Sequence, residues 1–517
     1  MGRIPVMRRL RQLLAGLLVV VAIGPVVLLL GSAARAGGAS WGAALGADWL
    51  PLLGRSIAIA GAVAALATGL GGLFGFLLAR FQLPAQPLLR LLLSGPLFLS
   101  PYLLAVAWSD GLYGLGWSRE ALFGPVGVAG ILTAIYTPLA AYIVGGSLVN
   151  INASLEEAGQ VLAPYPVVVR RIVLPLVRPA VGSSLGLIFV LALSEFSVPS
   201  YLGVPTLVTE VFTQFAAFYR YDVALLQSVA LMGVCLLLLW PERVFLTRTP
   251  VVAMGSRSFR TVPSSRRGRW LATAGLGAYV AGAVGVPLAL LTRQALGRGL
   301  ADLAEAFELL RPTLLPSLGL AAAGAALLTG SAYVLARTKL PGANGVLLGL
   351  FAVPSTVLGI AYLRFYNAPG LSGIYHSSLI ILLVYWGRFL FIPVRLLAGA
   401  LAQLSPTLEE AARLLGASRG QRFRRILAPL LADAFGTAFL LGFILCLSEL
   451  STVILVYPPG TQVLSVKVFT YMANARQSLV SALSMVVLLI SGGALAGLLT
   501  LRHLLFPASW RQPRAST

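Results

Sequence analysis

The sequence predicts an all-α polytopic membrane protein of about twelve transmembrane helices, arranged as two parallel six-helix repeats. Three observations carry this expectation. Of the 517 residues, 58% are hydrophobic and only 10% charged, too apolar a balance for a soluble globular chain. The apolar residues gather into twelve runs, each close to the length that crosses a bilayer. One polar, basic segment also occurs twice, at the same point in each set of six runs.

In chain order, Arg3, Arg8, Arg9 and Arg11 precede an apolar run over 13–33. A signal-peptide core is roughly 7–15 residues long, so this longer run reads as a retained first span with the amino terminus in the cytoplasm. Further spans are expected over 57–78, 91–108, 127–148, 181–198 and 223–240. Pro96 and Pro101 predict a kink in the third. Residues 241–269 hold seven arginines against the single acid Glu242, with Ser and Pro interspersed, the composition of a cytoplasmic linker. The pattern then restarts with spans over 270–291, 314–335, 346–363, 378–394, 434–456 and 480–501, Pro354 kinking the ninth, and ends in a basic tail with Arg502, Arg511 and Arg514. The expected organisation is a first repeat over 1–240, the linker over 241–269 and a second repeat over 270–517.

Charge fixes the orientation of this topology. With the amino terminus inside, 27 of the 38 lysines and arginines fall on cytoplasmic segments and 10 outside, while Arg388 lies within a span. Positive charge retained on the cytoplasmic side sets orientation, and it places both termini there. An even number of spans per half makes the halves parallel repeats. The formal charge of +22 is spread as punctuation between apolar runs, not gathered on a basic domain, so nucleic acid is excluded as a partner and the bilayer is the partner instead.

The duplicated segment reads Ser154-Leu155-Glu156-Glu157-Ala158-Gly159-Gln160-Val161-Leu162-Ala163 and Thr407-Leu408-Glu409-Glu410-Ala411-Ala412-Arg413-Leu414-Leu415-Gly416. A hydroxyl three residues before a glutamate predicts a reciprocally capped helix start at Ser154 with Glu157 and at Thr407 with Glu410. Arg170-Arg171-Ile172 leading to Pro175, and Arg424-Arg425-Ile426 leading to Pro429, follow in turn. Both segments fall between the fourth and fifth spans of their half, on the cytoplasmic side.

The duplication continues into the next span. Leu193-Ser194-Glu195-Phe196-Ser197 matches Leu447-Ser448-Glu449-Leu450-Ser451. A carboxylate in or near the end of a span marks either a transport path or a paired polar cluster. Glu195 and Glu449 are therefore candidates for the path or its gate, with an interhelical hydrogen bond as the structural alternative. Arg388 is expected to snorkel or to pair with a carboxylate. His376 and His503 fall beside span ends, where an interface position is expected over metal ligation. Cys235 and Cys446 lie far apart inside apolar runs, as buried inert thiols do.

Glu-Ala-Ala, three residues, Gly, and then Ile and Pro resembles the cytoplasmic signature of permease subunits of binding-protein-dependent ATP-binding-cassette (ABC) importers. Glu410-Ala411-Ala412 with Gly416, Ile426 and Pro429 carries it most fully; the first copy has Glu157-Ala158, then Gly159 and Ala163 where alanine and glycine stand in the pattern, and Pro175. The fused layout, with Pro458-Pro459-Gly460-Thr461-Gln462 after the second span glutamate, is similar to ferric-iron and thiamine permeases. The resemblance implies a type I ABC importer permease fold in a bacterial inner membrane. It also implies two helices that couple to a homodimeric ABC ATPase on the cytoplasmic side, and a soluble substrate-binding protein outside.

Ferric iron is the substrate this resemblance favours, with thiamine, a polyamine or another small solute as alternatives. No enzymatic activity, cofactor or metal centre is expected. Lys339 and Lys467, the only lysines, lie in no phosphate-binding loop, so ATP hydrolysis falls to another subunit. A twelve-span secondary transporter would fit the repeat but would have no use for two docking loops. An integral membrane enzyme would need a constellation of His, Cys, Ser or carboxylates at one membrane face, and none is visible.

Overall fold

The computed structural model describes residues 16–505 apart from 99, 115–117, 150, 152, 240–264, 339–341, 403 and 462. Among the described residues there is no strand. Each of the twelve expected spans has a helical counterpart. Six are single long apolar helices: Trp49–Arg80, Pro125–Val149, Tyr165–Leu193, Arg266–Ala295, Ala301–Thr338 and one beginning at Gln477. Four more are broken, the third across Gln86–Leu97 and Pro101–Ser109, the ninth across Gly345–Ala352 and Ser355–Tyr366, the tenth across Leu379–Phe389 and Phe391–Ala402, and the eleventh across Arg419–Leu430 and Ala432–Ser448. The first and sixth appear as the shorter apolar helices Gly24–Ala34 and Tyr221–Leu237. Most of the expected linker, 241–264, lies outside the described residues.

The breaks follow proline. Pro354 stands between the two limbs of the ninth span, which cross at 103°; its ring excludes the helical conformation from the residue before it, and Val353 is extended (φ −67°, ψ 124°). A gentler proline effect recurs at four places. π-turns at Leu18–Ile23, Val169–Val173, Ala281–Gly285 and Phe423–Leu427 each stop two residues before a proline, namely Pro25, Pro175, Pro287 and Pro429. Proline lacks the N–H that an α-helix needs and crowds the carbonyl four residues back. Widening the turn relieves both: the N–H of Leu174 reaches Val169 O, that of Val286 reaches Ala281 O and that of Ala428 reaches Phe423 O. The four sites are two matched pairs, in spans 1 and 7 and in spans 5 and 11.

Both halves pack to one plan. Trp49–Arg80 lies against Pro125–Val149 and Leu174–Leu193, and Ala301–Thr338 lies against Phe391–Ala402 and Ala432–Ser448, so the second span of each half is the centre of its bundle. At the close crossings a side chain has no room: a Cβ on Gly75 would meet Gly145 N at 2.9 Å, and one on Gly324 would meet Tyr385 and Cys446. By contrast a Cβ on Gly54, Gly69, Gly72 or Gly319 would meet nothing within 4 Å. The first helix of each half crosses over: Gly24–Ala34 packs on Ser355–Tyr366, and Val286–Ala295 on Pro101–Gly114. These exchanges, with the bond from Ser355 Oγ to Ser194 O at 2.9 Å, hold the halves together.

Candidate functional site

The two duplicated segments form short helices, Ala153–Leu162 and Pro406–Leu414, at one end of the bundle. Each begins earlier than the capping pattern predicts. Ser405 takes the N-cap position and Pro406 the first helical one, which suits a residue with no N–H to satisfy. Thr407 is thereby displaced into the first turn, where its Oγ1 meets Ser405 Oγ at 2.6 Å, and Ser154 likewise lies inside its helix. The expected Thr407 cap is not how the second helix starts.

The glutamate that organises each loop is the first of its pair, not the second. Glu156 is fully buried and forms an ion pair with Arg80, the last residue of the second span. Arg80 also donates to Leu148 O at 3.0 Å. In the second half Arg337, at the end of the eighth span, grips Glu409 with both terminal nitrogens, Nη1 to Oε1 at 2.7 Å and Nη2 to Oε2. That bidentate donation, aided by Arg422 nearby, holds the Glu409 carboxyl below the usual carboxylate range. Neither arginine is singled out by the loop motif. The signal that finds them is a second repeat, Leu78-Ala79-Arg80-Phe81-Gln82-Leu83-Pro84 against Leu335-Ala336-Arg337-Thr338-Lys339-Leu340-Pro341.

With the first glutamate turned inward, Glu157, Ala158, Glu410 and Ala411 are left on the exposed face, and Ala412 is buried. Gly159 takes the place of Ala412 in the first loop, where a Cβ would come within 2.7 Å of Ile172 Cδ1, so glycine sets that helix closer to the span it leads into. The second helix ends on Gly416 at φ +78°, with Ala417 N–H bonded to Ala412 O and Gly416 N–H to Arg413 O, a left-handed turn that suits glycine. Ala163 needs no such turn, because Pro164 ends the first helix in extended backbone. Beyond each turn the chain enters the π-turn preceding Pro175 or Pro429. Val161 is 85% exposed, and Leu162, Leu414 and Leu415 are each 88% exposed. The two loops thus present the same apolar pair in the same place, as a surface that awaits a partner does.

Glu195 and Glu449 lie at the opposite end of their spans, and the structure moves both out of the helices where the sequence pattern put them. The fifth span stops at Leu193 and the eleventh at Ser448. Each carboxylate then accepts a freed backbone N–H: Glu195 Oε1 from Ser197 at 2.9 Å and Glu449 Oε1 from Thr452 at 2.8 Å. Arg388 Nε donates to Glu449 Oε2 at 3.1 Å. Glu195, Arg388 and Glu449 lie within electrostatic reach of one another. Next to Glu195, Phe196 is buried between Phe212 (4.5 Å between ring centroids) and Phe469 (6.0 Å), the middle residues of Val211-Phe212-Thr213 and Val468-Phe469-Thr470. Cys235 and Cys446 are buried and unbridged. His376 stacks edge-on to Tyr375, and the side chain of His503 lies outside the described residues.

Six long apolar helices, four broken pairs and two shorter apolar helices, with two alike loop helices at one end, agree with the class that the sequence resembles, the membrane-embedded permease of an ABC importer. Residues 343–503 match the family of binding-protein-dependent transport system inner membrane components. Within that class the chain resembles ferric-iron permeases. It is 24% identical over 437 residues to the Fe(3+)-transport system permease protein FbpB 2 of Haemophilus influenzae, covering 82% of this chain and 85% of that one. It is also 28% identical to the putative ferric transport system permease protein FbpB 1 of the same organism, over 67% of this chain and 58% of that one, so it spans little more than half of that longer relative. The sulfate transport system permease protein CysT of Salmonella typhimurium is 31% identical over 31% of this chain and 63% of its own length. These likenesses, with the long apolar helices, support a multi-pass inner-membrane permease of a binding-protein-dependent transport system.

Proposed function

We propose that the chain forms the translocation path for ferric iron delivered by a periplasmic binding protein, powered by a separate homodimeric ATPase that docks on the two loop helices from the cytoplasm. The observation that carries the substrate is the likeness to an Fe(3+)-transport permease that runs nearly the full length of both chains. A homodimeric ATPase is supported by the likeness of the two loops, since two identical subunits offer one groove twice. In this reading Glu157, Ala158, Glu410 and Ala411 lie on the docking face with the apolar pairs, while Gly159, Ala412, Ala163 and Gly416 shape the helices and Pro175 and Pro429 bend the joints below them. Both termini lie in the cytoplasm, and 1–240 and 270–517 act as the two repeats.

Glu195 and Glu449 line the path beneath its outer closure, which Phe196 forms with Phe212 and Phe469. Arg388 neutralises one of the two carboxylates, and the remaining negative charge favours a cation over an anion such as sulfate. Reconstitution with the ATPase and binding protein in proteoliposomes tests this. ATP-dependent accumulation of labelled iron, absent without the binding protein, is expected; accumulation of thiamine or a polyamine instead would overturn the substrate.

A further inference from the structure

Building on that functional reading, we propose that Arg80 and Arg337 are positioning residues that tie each ATPase-coupling helix to the central span of its half, so that a push on the helix moves two spans instead of one. The helices Ala153–Leu162 and Pro406–Leu414 are joined by the chain to the fifth and eleventh spans, through joints widened by the π-turns at Val169–Val173 and Phe423–Leu427. A widened turn interrupts the regular α-helical ladder between the coupling helix and its span. The ion pairs supply a second attachment. Arg80 closes the helix Trp49–Arg80, and Arg337 stands one residue from the end of Ala301–Thr338. These are the spans against which the fourth and fifth, or the tenth and eleventh, pack in each half.

The chemistry argues against filler. Burying Arg80 and Glu156 together removes two charges from water, a cost that packed apolar side chains would avoid. Arg80 Nε and Glu156 Oε2 have no hydrogen-bond partner among the described residues. The arrangement nevertheless recurs, with the same residue types on the same elements, in the Arg337–Glu409 pair. What both copies share is the mechanical link. The copies differ in enclosure: the first is sealed from solvent and the second is about a quarter exposed, which makes the second the practical one to alter.

The test compares R337A, E409A and the charge swap R337E/E409R in the full complex with its ATPase and binding protein, measuring solute transported per ATP hydrolysed together with ATPase binding. The expected result is a fall of about tenfold in transport per ATP, the scale of a coupling free energy between sites, with ATPase binding and folded yield retained, and substantial recovery in the swap. An unchanged ratio in R337A, loss of ATPase binding in step with transport, or a folded swap with no recovery would each overturn the link. A wild-type complex with no ATP-driven uptake would instead overturn the functional reading on which it rests.

Discussion

Arg388 of the tenth span donates through Nε to Glu449 Oε2 at 3.1 Å, and both side chains are largely shielded from solvent. Removing the arginine strands a buried carboxylate, which costs about 3–5 kcal/mol. R388A is therefore expected to lower the thermal stability of the purified protein sharply. R388M/E449M, which removes both charges, is expected to recover most of it. Equal stability of R388A and wild type in a melting assay would show that the pair is not enclosed as described.

Leu162 and Leu415 are solvated and touch nothing that folding needs. L162D/L415D is expected to change stability by no more than about 0.5 kcal/mol while weakening ATPase binding by at least about 2 kcal/mol, roughly thirtyfold, as loss of an apolar anchor does. Co-purification and a binding titration check it. Unimpaired binding would remove these residues from the docking face.

The Arg337–Glu409 pair carries a definite pH dependence. Its carboxyl is held below the usual range, first by the hydrogen bonds from Arg337. A depressed folded pKa contributes stability above the unfolded carboxylate value, about 4.3, and loses it as pH falls through the folded value. The stability difference between wild type and E409Q is thus expected to stay constant from neutral pH down to about 5 and to shrink only in stronger acid. A difference that already disappears between pH 7 and 6 would contradict the assignment.

Pro175 and Pro429 are expected to cause their π-turns. P175A/P429A restores the missing N–H, so both segments should return to α-helical geometry, with slower hydrogen exchange over 170–175 and 424–429. Transport per ATP should fall several-fold because the coupling helices change direction. Unaltered exchange would assign the wide turns to tertiary packing instead.

Much of this was legible in the sequence because a bilayer imposes a strong code. Spans must be long and apolar and loops basic, so the apolar helices and their repetition could be read directly, although only six are long single helices, four are broken and the first and sixth are short. The choice between Glu156 and Glu157, or between Glu409 and Glu410, was not legible from the loop alone. It depends on which helix face meets Arg80 or Arg337, more than 70 residues away in sequence. The Leu-Ala-Arg-x-x-Leu-Pro repeat held that information, but a local capping pattern competed with it and misled, since Pro406 starts the second helix before Thr407 can cap it. The positions of Glu195 and Glu449 just beyond their helices escaped for a related reason. An apolar run continues through the break, and only the hydrogen bonds to Ser197 and Thr452 reveal that the helix has ended.

The activity proposed for this permease is inward transport of ferric iron at the expense of ATP hydrolysed on docked subunits. Proteoliposomes holding the complete complex, supplied with its binding protein, internal ATP and either labelled ferric iron, thiamine or a polyamine outside, test it most directly. Iron accumulation that requires ATP and the binding protein and is lost in L162D/L415D is the predicted result. Accumulation of another solute, or of iron without ATP, would contradict it.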